Sequence, residues 1–580
     1  MNAETLIKII EDINNPETTG TVEDTIEQWR AVATLAEAID TELAAHAWFS
    51  VGSLLSESGR KEEALSAYDK SLSLKPDAVF YNDRGATKAS LGQLEEAISD
   101  YDEAIRLNPE YANAYYNRGW ARGELNQHEP AIADYGEAIR LNPEYTDVYY
   151  NRGVVKGELE QYEPAIADYD EAIRLKPDHA DAYYNRGIAK GELKQYEAAI
   201  ADYDEAIRLN PEYTDAYYNR GGAKNEIYHH EAALLDYDEA IRLKPDFAEA
   251  WTNRGIAKHK LGQYEAAIAD YDEAIRLKPD EAAAYSNRGY VKSQLDQLDE
   301  AIADCNEALR LDPTLVGAYN SRGIAKNRLG QHEAAIADYE EVIRLDPNYH
   351  FGYANRGYVK NQLGQHESAI SDFDEAIQLK PDYPNAYAQR GRAKEKLGQR
   401  EEAVIDYETA ITRYNEEIRI NPDSAAAYNR RGLAKNWLGQ YESAMADFDA
   451  AIRLSSNHAF AYYAYANRGW AKDKLEQYEA AIADYDEAIR LNPNYVCAYN
   501  NRGYLKNKLE QYEAAIADCD EAIRLNPNYT TAYGNRGYAK DKLEQYEAAI
   551  ADYDEAIRLG PNDVRYHNRG MTKRKLGQYE

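Results

Sequence analysis

The sequence has few cysteines and no long apolar run. Its three cysteines show no pairing pattern, which argues against a disulfide framework and favours a reducing, cytoplasmic compartment. A membrane-spanning helix needs about 18 or more consecutive apolar residues, and no stretch approaches that length. The segment from Met1 to Asn15 carries Lys8 and only short apolar runs, so it fits neither a signal peptide nor a membrane span.

Positive charge is also in deficit. Lysine and arginine number 67 against 102 aspartate and glutamate residues, which gives a formal net charge of −35. A chain this acidic is repelled by phosphate backbones. We therefore expect no nucleic-acid partner.

The residue sets that carry catalysis or bind cofactors are missing. His229 and His230 have no partners at the spacing of a zinc site. Carboxylates recur at regular helix-surface positions rather than as a shielded pair for acid–base work, and no glycine loop is suited to phosphate. The sequence predicts no enzyme activity, no metal, no cofactor and no small-molecule substrate.

What is present is a repeat marked by a glycine every 34 residues. The glycines are Gly85, Gly119, Gly153, Gly187, Gly221, Gly255, Gly289, Gly323, Gly357 and Gly391, preceded by Gly52 and followed by Gly432, Gly469, Gly503, Gly537 and Gly570. A period of this length indicates a solenoid of stacked units rather than a globule with one active site. Function is therefore expected to lie on an extended surface.

The unit from Asp181 to Tyr213 predicts two antiparallel helices. In its second half, Ala199, Tyr203 and Ala206 fall at helical spacing and form an apolar stripe. A short turn joins the halves, and in several repeats it holds a glycine, such as Gly262, that suits a left-handed helix cap. Neither helix can bury its stripe without the next unit.

Six positions recur in register with the repeat glycine. In the unit above they are Tyr183, Gly187, Ala199, Tyr203, Ala206 and Pro211. This pattern resembles the tetratricopeptide repeat family over about residues 45–580, with about fifteen units and a terminal half-unit. The resemblance implies an all-α solenoid, a right-handed superhelix of antiparallel helix pairs whose first helices line a concave groove.

Two charged positions depart from the family pattern. Arginine precedes the glycine, and aspartate follows it by fifteen residues, in every full unit from Gly85 onward, whereas both are lost together around Gly52. We therefore predict that they pair between helices, because one buried charge alone is costly. The pairs singled out are Arg186 with Asp202 and Arg254 with Asp270. On the outer surface, Asp204 is expected to pair with Arg208.

The period slips between Gly391 and Gly432, where a heptad is inserted. This predicts a helix two turns longer than its neighbours, and the following unit has a three-residue insertion and lacks the proline. The irregularity marks either a bend or contact site, or a tolerated insertion.

At the start of the chain, helices over Leu6–Ile13 and Asp24–Ala38 are expected, with Thr21 and Asp24 forming a capping box. The predicted division is an N-terminal helical cap at 1–44, a regular array at 45–411, irregular units at 412–466, and a regular array at 467–580 that ends in a half-unit.

An asparagine lies two residues before most repeat glycines. The candidate binding residues are Asn117, Asn151, Asn185, Asn219, Asn253, Asn287, Asn355, Asn467, Asn501 and Asn535. A carboxamide both donates and accepts, so such a row can hold the backbone of an extended peptide. The alternative is that these asparagines only bridge neighbouring helices. The row is similar to the asparagine ladder in the repeat region of O-GlcNAc transferases, where it implies peptide binding.

Aromatic and acidic side chains accompany this asparagine ladder. Tyr150, Tyr184 and Tyr218 lie three residues before the glycine, and Glu158 and Glu192 lie five residues after it. They predict a preference for segments that carry Lys or Arg. The alternative is a merely solvated acidic surface.

The sequence therefore predicts a non-catalytic protein–protein interaction scaffold that binds extended peptides or partner proteins in its groove. Two alternatives stay open: the targeting arm of a larger enzyme, such as a glycosyltransferase, whose catalytic domain is absent from this chain, and a structural spacer.

Overall fold

The computed structural model describes residues 21–455, 458–560 and 562–578, together with Ile10 and Ile13. Within this part of the chain there are 32 helices and no strands, which confirms the all-α prediction. Apart from Ile10 and Ile13, the helix predicted over Leu6–Ile13 lies outside the described residues. The next helix begins at Val22, and Thr21 and Asp24 form the predicted capping box.

The chain divides into two compact units, residues 1–257 and 258–580. The first unit contains α1 Val22–Ala36, α2 Thr41–Glu57, α3 Lys61–Leu74, α4 Ala78–Ser90, α5 Leu94–Leu107, α6 Ala112–Glu124, α7 His128–Leu141, α8 Thr146–Glu158, α9 Tyr162–Leu175, α10 Ala180–Glu192, α11 Tyr196–Leu209, α12 Thr214–Glu226, α13 His230–Leu243 and most of α14 Ala248–Lys260. From α2 on, even-numbered helices are the first helix of a repeat and odd-numbered helices are the second.

The second unit begins within α14. It continues with α15 Tyr264–Leu277, α16 Ala282–Gln294, α17 Leu298–Leu311, α18 Val316–Arg328, α19 His332–Leu345, α20 His350–Gln362, α21 His366–Leu379, α22 Pro384–Lys396, α23 Arg400–Ile420, α24 Ala425–Trp437, α25 Tyr441–Leu454, α26 His458–Lys474, α27 Tyr478–Leu491, α28 Val496–Lys508, α29 Tyr512–Leu525, α30 Thr530–Lys542, α31 Tyr546–Leu559 and α32 Asp563–Lys575.

Each repeat buries its core only with the help of the next repeat. Ala199 and Tyr203 on α11 pack with Ala223 on α12, and all three are buried. The apolar stripe read from the sequence is thus the surface that joins consecutive units.

The repeat glycine allows the two helices of a hairpin to approach closely. A Cβ atom built on Gly187 would lie 2.7 Å from Cε1 of Tyr203. Cys305 replaces this tyrosine in one repeat and is fully buried, so it serves there as a small core residue.

The turn between the two helices takes a left-handed conformation. Gly262 has a φ of 72° and Gly330 a φ of 76°, as the sequence predicts. Several repeats place other residues there, for example Glu160 with a φ of 58°. Glycine is therefore favoured at this turn but not required.

The inserted heptad lengthens one helix, as predicted. Helix α23 has 21 residues, whereas the second helix of a regular repeat, such as α11, has 14. The added turns bury Tyr414 and Ile418 and leave Ile420 exposed.

Candidate peptide-binding surface

A buried aspartate of the repeat lies between two positively charged side chains. In the repeat of Gly187, Arg186 donates from Nε to Asp202 over 2.9 Å and from Nη2 to the other carboxylate oxygen over 2.6 Å. The Asp202 side chain is only 5% exposed, so the pair links α10 to α11 inside the protein. Burial opposes protonation of Arg186, but hydrogen bonds to its aspartates hold its pKa above the ordinary value.

Sequence reasoning missed the third member of this cluster. Lys190 places Nζ 2.7 Å from Oδ2 of Asp202. The signal was present, because a lysine or arginine lies three residues after each repeat glycine from Gly85 onward. Its spacing puts it one turn beyond the arginine on the same helix face.

A second aspartate carries the network between repeats. Asp170, on the second helix of the preceding repeat, accepts from Nη1 of Arg186 over 2.5 Å and is about half exposed. Asp204 pairs with Arg220 in the same way, while Arg208 pairs with Glu205. The prediction that Asp204 pairs with Arg208 is therefore wrong, because the neighbouring repeat offers Asp204 an arginine.

Arg254 and Asp270 fall in different units. Within the first unit Arg254 forms an ion pair with Asp238. Within the second unit Nζ of Lys258 lies 2.7 Å from Asp270. Both residues therefore have charged partners of the kinds seen around Arg186 and Asp202.

One repeat lacks the aspartate that links neighbours. Gly136 stands where Asp170 stands in the next repeat, and Arg152 accordingly bonds to Asp168 alone among the aspartates that the structure describes. We predict that Gly136→Asp supplies the missing partner and stabilises this repeat by about 1 kcal/mol, from a half-exposed ion pair and better helix propensity.

Hydrogen exchange of α7 and α8 measures this gain. Gly136→Ala is the matched control, because it improves helix propensity without adding a charge. In about 1 M salt the stability gained by Gly136→Asp should shrink, whereas that gained by Gly136→Ala should persist, because screening weakens only the ion pair. An Asp gain that is insensitive to salt would contradict the prediction.

The candidate asparagines and tyrosines bond to one another. Asn185 donates from Nδ2 to the hydroxyl of Tyr150 over 2.9 Å, and Asn219 donates to Tyr184 over 2.8 Å. Asn151 bonds to Tyr116 and Asn253 to Tyr218 in the same way. Each bond links the first helices of consecutive repeats. Bridging between helices, the alternative left open by the sequence, is therefore part of what these asparagines do.

Four of the remaining asparagines donate in the same way to an asparagine of the preceding repeat, whereas Asn501 and Asn287 differ. Asn117, Asn355, Asn467 and Asn535 donate to Asn82, Asn320, Asn429 and Asn500 respectively, Asn501 accepts from Asn500, and Asn287 is half-buried at the equivalent position. We call the face of the first helices that carries these residues the ladder face.

The side-chain oxygens of three ladder asparagines in the first unit remain available as hydrogen-bond acceptors. Among the residues that the structure describes, none donates a hydrogen bond to the side-chain oxygen of Asn151, Asn185 or Asn219. All three side chains are half-buried rather than enclosed. An incoming N–H group can therefore bond to these oxygens while the nitrogens keep their contacts with tyrosine.

A hollow of about 260 Å³ lies on the ladder face of α6 and α8. It is lined by Trp120, Glu124, Asn151, Val154, Glu158 and their neighbours. The structure thus brings an aromatic, an amide and two exposed carboxylates to one concavity.

Tyr184, on the ladder face of α10, keeps its proton because burial, followed by the charge of Asp215, raises its pKa to about 12.

Sequence models described as "TPR repeat" and "Tetratricopeptide repeat" match most of the chain. The chain belongs to the tetratricopeptide repeat family. The "TPR repeat" model matches 85–125, 121–160, 157–194, 229–262, 357–398 and 474–509. The "Tetratricopeptide repeat" models match 45–77, 180–213, 248–281, 282–315, 316–349, 389–459, 496–529 and 530–563.

One solved structure that covers most of the chain shares its fold. The chain is similar to the APC/C hetero-tetramer Cut9-Hcn1, with a TM-score of 0.54, 14% identity, and coverage of 85% of this chain and 96% of that chain. A shorter similarity is to MamA, with a TM-score of 0.26, 27% identity, and coverage of 28% of this chain and 96% of that chain. Another is to MamA from Desulfovibrio magneticus RS-1, with a TM-score of 0.28, 23% identity, and coverage of 29% of this chain and 96% of that chain. A comparison with curated proteins gives no match.

The tetratricopeptide fold supports a role as a protein–protein interaction scaffold. Among the described residues, no helix is long and apolar enough to cross a bilayer. The same residues include no group of three or more His, Cys, Asp or Glu placed to hold a metal ion.

Proposed function

We propose that this tetratricopeptide protein binds extended polypeptide segments along the ladder face of its first unit. The observation that carries the proposal is the row of half-buried asparagines whose side-chain oxygens receive no hydrogen bond from the described residues. Neighbouring packed helices lie about 8–10 Å apart, and an extended peptide rises about 3.3 Å per residue. One asparagine can therefore meet every third residue of a bound segment.

Charge sets the preference of this face. Glu124, Glu158 and Glu192 are exposed at equivalent positions of consecutive repeats. Together with the aromatic side chains beside them, they favour segments that carry Lys or Arg over neutral or acidic ones. We place this binding in the cytoplasm, where the three unpaired cysteines would stay reduced.

We also propose that residues 1–44 cap the array, that residues 45–411 and 467–580 form its regular parts, the second of which ends in a half-unit, and that residues 412–466 are irregular units.

A labelled, end-blocked peptide of alternating lysine and serine tests the proposal. We expect saturable binding to the full chain by fluorescence anisotropy, and about tenfold weaker binding after Asn185, Asn219 and Asn253 are changed together to Ala. Glu158→Lys with Glu192→Lys should weaken binding by a similar factor.

Two controls separate binding from folding. Asn348→Ala with Asn528→Ala alters exposed asparagines in turns and should leave affinity unchanged. Tyr150→Phe with Tyr184→Phe removes the ladder bonds but keeps the amide oxygens, so binding should largely survive. A spacer without a peptide-binding face would show no effect of the triple change.

A further inference from the structure

Two arginines interrupt the ladder face in the second unit. Arg430 lies two residues before Gly432, where most repeats carry the ladder asparagine, and Arg392 directly follows Gly391, where neighbouring repeats carry Tyr358 or Leu433. Helical spacing places both positions on the face that carries the ladder. They flank the long helix α23, at the place where the repeat period slips.

Neither guanidinium is neutralised by an ion pair with any residue that the structure describes. By contrast, the arginine preceding each repeat glycine from Gly85 to Gly537 bonds to a buried aspartate wherever both partners lie in one unit. Arg392 instead stacks over Trp437, 5.1 Å from the ring centroid. Arg430 is exposed.

Aromatic side chains surround both arginines. Trp437 packs against Tyr407, with ring centroids 5.6 Å apart. Burial raises the pKa of Tyr383, and the positive charge of Arg430 opposes that rise. The same opposition of burial and Arg430 is seen at Tyr414. Arg392 therefore lies over an aromatic ring, and Arg430 lies near tyrosine hydroxyl groups that burial keeps protonated.

The electrostatic influence of the two arginines extends beyond their own repeats. The charge of Arg430 also reaches Tyr290, four repeats earlier. At Tyr358, burial raises the pKa, the charge of Arg392 lowers it, and Tyr463 and Cys497, three and four repeats farther along, contribute smaller increases. The two arginines therefore give the ladder face of this unit a positive potential that acts across several repeats.

Residues farther apart also meet in this unit. Gln263, Gln294 and Asp296 share a hollow of about 470 Å³ with Tyr462 and Asn492. Residues from repeats that are distant in the sequence therefore lie near one another within this unit.

The position five residues after the repeat glycine is mostly acidic in the first unit and mostly basic in the second. In the first unit it holds Glu57, Ser90, Glu124, Glu158, Glu192 and Glu226, whereas in the second it holds Lys260, Gln294, Arg328, Gln362, Lys396, Trp437, Lys474, Lys508, Lys542 and Lys575. Lys508 lines a hollow of about 510 Å³ with Asn501, Tyr504 and Asn535, as Glu158 lines the hollow of the first unit.

Two carboxylates lie near the arginines. Glu395 accepts a hydrogen bond from Tyr407 over 3.0 Å. Glu417 lies near Tyr414 and makes a small contribution to its raised pKa, most of which comes from burial. Neither carboxylate pairs with Arg392 or Arg430, so both guanidinium groups keep their donors for a ligand.

We propose that Arg392 and Arg430 form a site for the acidic side chains of an extended peptide, beside the aromatic side chains of the second unit. The proposal rests on the proposed function in taking a polypeptide as the ligand, and it assigns a different chemistry to a different unit. Each guanidinium offers a carboxylate paired, charge-assisted hydrogen bonds, and the tyrosine hydroxyls add donors.

A labelled peptide of alternating glutamate and serine, acetylated and amidated at its ends, tests this site on the full chain. Blocking the ends ensures that only side-chain carboxylates are probed. We expect saturable binding that weakens about tenfold when glutamine replaces glutamate, and about tenfold when Arg392→Gln and Arg430→Gln are combined. Higher salt should weaken binding of the glutamate peptide but leave binding of the glutamine peptide unchanged.

The matched control is Arg413→Gln with Arg453→Gln, which removes the same charge from the second helices α23 and α25. It should leave affinity for the glutamate peptide unchanged. If the combined ladder-face variant loses its helical circular dichroism, Arg430→Gln alone replaces it, because that side chain is exposed. Equal affinity for the glutamate and glutamine peptides overturns the proposal, as does an equal loss in the control.

The two proposals fail in different ways. A chain that binds the lysine peptide but not the glutamate peptide contradicts only the arginine site. A chain that binds neither contradicts both, and one that binds only the glutamate peptide contradicts the proposed function of the first unit while supporting the site at Arg392 and Arg430.

Discussion

Asp202→Ala will destabilise its repeat by about 3 kcal/mol, because it removes the anion that Arg186 and Lys190 share in a buried setting. Both cations would keep part of their burial, and only Arg186 would retain a carboxylate, at Asp170. The opening of amides in α10 and α11, followed by hydrogen exchange in the full chain, should become more than about a hundredfold more frequent.

Asp170→Ala is the matched control for this prediction. Asp170 binds the same Arg186, but its side chain is 56% exposed, so water replaces the lost contact and the cost should stay below about 1 kcal/mol. Converting Arg186, Lys190 and Asp202 together to apolar residues should cost less than Asp202→Ala alone. If the two single aspartate changes prove equally damaging, burial does not give this network its strength.

Gly187→Ala will destabilise the same repeat by about 1–2 kcal/mol. The added methyl would lie 2.7 Å from Cε1 and 2.9 Å from Cδ1 of Tyr203, whose ring is buried between helices and cannot swing away. The cost of overpacking, about 1–3 kcal/mol, exceeds the gain of about 1 kcal/mol in helix propensity. Hydrogen exchange across α10 and α11 reports the loss.

Gly136→Ala is the control for this prediction, because it should stabilise its repeat rather than destabilise it. Gly136 also lies within a helix, but a Cβ atom there meets no other atom within 4 Å. Only helix propensity then changes, and we expect a gain of about 1 kcal/mol. A loss at Gly136, or a gain at Gly187, would show that close approach of the helices does not explain the repeat glycine.

Local features of the repeat were readable from the sequence because they depend on spacing within one chain segment. The stripe of Ala199, Tyr203 and Ala206 has the helical period, and all three are buried. The heptad inserted before Gly432 keeps that period, so it lengthens α23 without disturbing its buried face. The left-handed turn at Gly262 likewise follows from a requirement of the local backbone.

Choices between nearby partners were not readable in the same way. Arg208 could pair with Asp204 or Glu205 by spacing alone, and the position of the next repeat decides for Glu205. Lys190 joins Asp202 only because α10 and α11 bring their faces together. The sequence placed asparagine and tyrosine on the same face of the first helices, yet their bond joins consecutive repeats.

The repeat period, the helix pairs, the buried stripes and the acidic balance of this protein follow from the amino-acid sequence alone, because each depends on residue type and short-range spacing. Packing between helices selects which side chains meet: the aspartate shared by two cations, the asparagine bonded to a tyrosine of the preceding repeat, and Arg392 stacked over Trp437. Those contacts depend on how each repeat packs on the next, and small rotations between near-identical units select one neighbour over another.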